Sequence, residues 1–214
     1  YYFVHNGEAW AADDDTDIEY MYKHLLDVYN VSILTPEQIR EGWLHHIYSN
    51  EDAPNNENFL WVSNETAYYL MLDGLLPPVT SAPDNNSHYE MIDAQLTTEI
   101  FGLFAPTRPD IALRMSHMPI RTTANGNAKC AAEFYVVMYS LASYVENELS
   151  MKEKVFWLAK QARKRLPDGT PVAGMYDYIK ESYDANPDKN DWESTRDAVY
   201  ERYQVNGGDG YVYN

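Results

Sequence analysis

The chain has 214 residues, 45% of them hydrophobic and 14% aromatic, enough for one domain with a sizeable core or at most two small ones, and too apolar for a disordered acidic chain. Its formal net charge of -17 excludes a nucleic-acid or anionic-membrane surface, since both are bound by neutralising phosphate with Lys and Arg. No run of about 18 apolar residues is present to span a bilayer, and the single cysteine, Cys130, rules out an internal disulfide and any zinc site built on several thiolates.

Along the chain the pattern reads as helix after helix. Asp13, Asp14, Asp15 and Thr16 stand in front of Asp17–Tyr29, where Ile18, Met21, Tyr22, Leu25 and Tyr29 recur at the spacing of one helical face. In "LTPEQIREGWLHHIY", Thr35 is an N-cap, Pro36 takes the first helical position and Gln38 completes a capping box, so a second helix is expected to run to about Tyr48. "NEDAPNNENF" is a polar surface loop. In "SNETAYYLMLDGLL", Ser63 is expected to cap a third helix and Gly74 to end it. Leu76 to His88, with three prolines and no periodicity, reads as a long loop of the kind that often carries function.

Residues 89–104 return to helical spacing and set Asp93, Gln95 and Glu99 among apolar neighbours. A short helix is expected after "PTRPD", ending where Pro119 and Asn125-Gly126 break the pattern. "CAAEFYVVMYSLASYVE" is apolar on nearly every side and is the candidate central helix. Ser150 and Glu153 form a second capping box for an amphipathic helix that ends at "PDGTP", and two more helices fit Val172–Asp184 and Trp192–Tyr203. No internal repeat or clear domain boundary is present, so a single all-α domain is expected.

The acidic triplet admits two readings. Aspartates at a helix N-terminus accept its free N–H groups and suit its dipole, worth about 1 kcal/mol per cap. Three in succession also repel one another, and a hard divalent cation relieves that: magnesium takes carboxylate oxygens plus waters. Adjacent helical positions point about 100° apart, so Asp14 and Asp15 reach two different ions more readily than they chelate one.

"DDDTDIEYMY", then "TPEQIREGWLHHI", "GLLPP" and "IDAQLTTEIFG", in this order, resemble the ADP-ribosylglycohydrolase family, the relatives of dinitrogenase reductase activating glycohydrolase. The resemblance covers most of the chain. It implies an all-α fold around a binuclear magnesium centre that hydrolyses the N- or O-glycosidic bond of ADP-ribose on an acceptor, either an ADP-ribosylated protein or a small ADP-ribosyl compound. The family's Thr-Asp-Asp-Thr falls on Asp13, Asp14, Asp15 and Thr16, which makes the three aspartates the implied metal ligands, with Asp in place of the first Thr. Water activated by the ions is the implied nucleophile, with Asp15 or a residue outside this chain as candidate general base. The resemblance places Asp93, Gln95 and Glu99 along the cleft, against the plain reading of a polar exposed stripe. It places Asn125 and Gly126 beside the ribose site, against an ordinary turn.

The departures are specific. Arg121-Thr122 stands where the family has Ser-His, and the second metal motif, an Asp-x-Asp followed by Ser or Thr, has no counterpart before Asn214. The family's N-terminal acidic segment has none either, and the chain opens on Tyr1 without a signal-peptide pattern, so a piece of a longer protein is expected. Sequons at Asn30, Asn64 and Asn85 support the alternative, a non-catalytic secreted glycoprotein that keeps the scaffold and self-associates. An extracellular location goes with their use and a cytoplasmic one without it. His24, His45, His46 and His117 are metal ligands by type, but His45 and His46 fall on different faces and the four read as surface histidines. Cys130 reads as a buried, inert thiol, and Tyr135, Tyr139 and Tyr144 as core or partner contacts.

Overall fold

The structure, a computed structural model, describes residues 13–47 and 60–205. The fold is all-α, and no strand occurs among the described residues. The expectations for Tyr48, for the loop at 50–59 and for the tail from residue 206 lie outside them.

Helix α1 (Asp14–Tyr29) starts on the Asp13 cap and buries Ile18, Met21, Tyr22 and Leu25, the face its spacing predicts. It ends on Asn30 in the left-handed region (φ 50°), which closes the turn on Asp27 and Leu26. Helix α2 (Pro36–His46) has the predicted capping box at Thr35 and Gln38. It packs along α1 through Gly42, where the added carbon of an alanine would run into the Leu25 side chain. A buried polar bond crosses this apolar interface, Trp43 Nε1 donating to the Tyr22 hydroxyl at 3.1 Å, and at the exposed edge the Tyr29 hydroxyl donates to Glu41 Oε2 at 2.9 Å.

Helix α3 (Val62–Leu72) begins before Ser63, so Ser63 lies inside its first turn and is not the cap; Trp61 holds the cap position and supplies no side-chain bond. The expected loop from 76 to 88 is docked, with a 3-10 turn at Val79–Ser81. Thr80 Oγ1 donates to the Thr122 carbonyl at 2.7 Å, and Asn86 Nδ2 to the carbonyls of Ser63 at 3.3 Å and Thr80 at 3.2 Å. Its prolines end helices, but its short polar side chains bury it, because each satisfies backbone groups of its neighbours.

The helical spacing of 89–104 resolves into two short helices, α4 (Asp93–Thr97) and α5 (Ile100–Phe104). The break falls at Thr98, whose hydroxyl bonds back to the Ala94 carbonyl while its own backbone leaves the helical region (φ -134°). Helix α6 (Pro109–Thr123) runs through Pro119, where a break was expected. Asn125-Gly126 is not a free turn but the start of α7 (Gly126–Leu141).

Helix α7 is the hub, touching α4, α5, α6 and two C-terminal helices. Gly102 of α5 lets that helix come within backbone range: a Cβ there would lie 2.5 Å from the Val136 carbonyl oxygen and 2.8 Å from the Ser140 nitrogen. Beyond α7 come α8 (Met151–Arg163), with the predicted Ser150–Glu153 capping box, α9 (Pro171–Ala185) and α10 (Trp192–Tyr200), followed by a π-helical turn at Glu201–Val205. These three helices bury little beyond Ala162, Leu166 and Ala173. No described helix is long and apolar enough to cross a membrane.

Candidate functional site

The first turn of α1 meets the start of α3 and the α4–α5 break, and there the carboxylates gather. Asp13 acts as a cap, its Oδ1 accepting the Thr16 N–H at 3.3 Å. Asp14 turns towards α3: its Oδ2 accepts the Trp61 N–H at 2.7 Å and the Asn64 side-chain amide at 2.9 Å. Asp93 opens α4 at only 1% exposure, and its Oδ1 accepts the N–H groups of Ser63 at 3.2 Å and Asn64 at 3.0 Å. These are orphan donors at the N-terminus of α3, which lacks a cap of its own; Asp93 supplies one from another helix. The reading of Asp93 as part of an exposed stripe is therefore corrected.

Asp15 takes the opposite role, with no hydrogen-bond partner for its carboxyl among the described residues. Burial pushes its carboxyl up to about 7, and the charges of Asp14, Asp13, Asp93 and Glu19 push in the same direction. Glu99, at the break between α4 and α5, is also raised to about 7, by burial first and with Glu19 and Asp15 adding to it. Glu19 is raised by burial, while its Oε1 accepts the Ile100 N–H at 3.2 Å. Tyr139 of α7 faces the same group: burial raises its hydroxyl, and Glu99 and Glu19 raise it further.

Two oxygens in this cluster, Asp93 Oδ2 and Glu99 Oε2, are buried with no hydrogen-bond partner among the described residues, and so are Ser63 Oγ and Asn64 Oδ1 nearby. Orphaned buried oxygens next to crowded carboxylates form the hard-donor set that magnesium takes. The chemistry of the donors fits that ion. Their arrangement is not a ready-made cage, since no group of three or more His, Cys, Asp or Glu among the described residues is placed to hold a metal.

Of the predicted residues, Asp13, Asp14, Asp15, Asp93 and Glu99 are brought together, and Gln95 lies half-buried on α4. Asn125 and Gly126 are held elsewhere. Asn125 caps α7, donates its N–H to the Tyr89 carbonyl at 2.9 Å and accepts from Gly126 at 2.8 Å. Gly126 has φ +56° and sits so close to Glu90 that a Cβ would lie 2.5 Å from its Oε1. A side chain there would be strained by the backbone and would have to displace Glu90. Glu19 and Tyr139 were not anticipated, although Glu19 stands four residues after Asp15 and shares its helical face.

The remaining candidates separate by burial. Asn64 is fully buried with its amide spent on Asp14, so this sequon has no room for a glycan; Asn30 and Asn85 are exposed. Cys130 is half-buried and its thiol is raised by burial, the environment of an unreactive thiol. Tyr135, Tyr139 and Tyr144 are exposed and do not fill the core. His45 and His46, expected on different faces, bring their rings to 4.7 Å between centroids.

No family model, no curated protein and no solved structure matches the chain.

Proposed function

We propose that the protein is a magnesium-dependent hydrolase of ADP-ribosyl or related N- or O-glycosidic linkages, acting on an ADP-ribosylated protein or a small ADP-ribosyl compound. One observation supports this most: Asp15 on α1 and Glu99 at the α4–α5 break reach one cluster, each with its carboxyl near 7. A carboxyl that gains and loses a proton at neutral pH is suited to general acid–base work, and burial produces it, with like charge nearby adding to it. Asp13, Asp14 and Asp15 are the residues that would hold magnesium, which when bound polarises oxygen atoms and raises the acidity of water. Asp15 takes the proton of the attacking water. Burial first, then the charges of Asp14, Asp13, Asp93 and Glu19, keep the Asp15 proton affinity high, and Glu99 holds a proton beside it. Asp93, locked on the start of α3, fixes the wall against which the sugar is oriented.

The test is turnover of N-linked and O-linked ADP-ribosyl peptides with magnesium, comparing the parent chain with Asp15→Asn and Asp14→Asn, alongside magnesium titration by calorimetry. ADP-ribose release that needs magnesium and disappears in Asp15→Asn, with helicity retained, supports the reading. A folded parent chain that releases no ADP-ribose from either linkage and binds no magnesium removes it.

A further inference from the structure

The pair α1–α2 carries a second group of metal-ligating side chains, nine residues along α1 from Asp15 and so about 13 Å away along the axis. The rings of His24 on α1 and His46 at the end of α2 meet edge to face, 5.0 Å between centroids at 82°. His45 meets His46 in the same way from its other neighbour position, at 4.7 Å and 84°. All three side chains are exposed. An imidazole nitrogen binds zinc at about 2.0–2.1 Å, which puts each ring centre about 3 Å from the ion and the centres of two rings on one tetrahedral ion about 5 Å apart.

The His24–His46 separation is that of two ligands side by side on one ion. The backbone positions from which the two rings reach each other are fixed, because α1 and α2 are locked by Leu25 against Gly42 and by the Trp43–Tyr22 bond. We propose that His24 and His46 form a two-imidazole site for a borderline divalent transition-metal ion such as zinc, with water completing its coordination and the ion clamping α1 to α2. The site is distinct from the acidic cluster in donor type as well as in place. Imidazole selects zinc, nickel and copper, whereas carboxylate and water suit magnesium, so α1 carries donors of two kinds, carboxylates at its start and an imidazole further along. Among the described residues the site has two protein ligands, and no group of three is formed there. His45 lies against His46.

The experiment is a calorimetric titration of the full chain with zinc in a buffer that contains magnesium, with nickel broadening of the imidazole signals of the six histidines followed by magnetic resonance. One equivalent of zinc is expected to bind and to raise the melting temperature, and nickel to broaden His24 and His46 first. Both effects are expected to vanish in His24→Gln and in His46→Gln and to persist in His117→Gln. The substituted side chains are exposed, and an unchanged melting temperature without metal confirms that the variants fold. No zinc binding by the parent chain, binding that survives both substitutions, or binding lost in Asp15→Asn instead would each overturn the site.

Discussion

The helices before residue 150 and the three after it are held together by different physics. Residues 151–205 contain ten basic and ten acidic residues, so the whole net charge of -17 lies outside them. The earlier helices bury Tyr22, Trp43, Phe101, Ile120 and Val136 to near-zero exposure and concentrate acid at one point of that packed body. The C-terminal helices leave Trp192 63% exposed and line an apolar groove of about 650 Å³ with Phe156, Tyr176, Tyr183 and Trp192. They meet through surface pairs such as Arg163 with Asp177 at 2.7 Å and Lys152 over the Tyr183 ring at 4.8 Å. Uncompensated charge is tolerated where burial supplies the stability, and a layer without burial keeps its charges balanced.

If that contrast is right, truncating Phe101 to Ala costs about 3–5 kcal/mol in urea unfolding, the range for a fully buried ring, whereas Trp192→Ala costs under about 1 kcal/mol. Equal losses would erase the distinction. Asp93→Ala comes next, at about 2–3 kcal/mol, because two buried N–H groups of α3 lose their acceptor. Asp93→Asn keeps an acceptor oxygen and is expected to recover most of that loss in the same titration.

The acid site should also show itself in pH. Asp15 moves from an ordinary 3.8 to about 7 on folding, so the folded state holds the proton more tightly. The stability linked to it is full below about pH 4 and is lost as pH rises through about 7. Melting temperature is therefore expected to fall between pH 5 and pH 8 without metal, less steeply in Asp15→Asn, and less steeply with magnesium if the proposed ion binds there. A flat profile would mean that the carboxylates do not share one environment. The smallest effect belongs to the other layer. Asp177→Ala is expected to cost about 0.5–1 kcal/mol and to lose most of that in high salt, while Asp168→Ala, whose side chain is 93% exposed, changes nothing measurable.

Local chemistry explains which parts were legible in advance. The boxes at Thr35–Gln38 and Ser150–Glu153 close within four residues, so the spacing alone specifies them. The start of α3 was misread because Ser63 looks like a cap, while the cap comes from Asp93, thirty residues later. The break at Thr98 rests on a hydroxyl bonding back to Ala94, and Pro119 sits where α6 accommodates it; neither shows in a hydrophobic period. The triplet at Asp13 was readable as a concentration of charge, but its division of labour was not. One member caps, one braces α3 and one is left to titrate, as fixed by contacts with helices distant in sequence.

The borrowed cap also bears on how the chain folds. The first turn of α3 is completed by Asp14 and Asp93, about fifty residues before it and thirty after it, so it cannot be finished by local nucleation. Its amides are secured only when α1, α3 and α4 have met. The Ser63 and Asn64 amides are therefore expected to exchange with deuterium only through global opening, although helix ends ordinarily fray. Those two positions are the natural reporters of the whole fold's cooperativity.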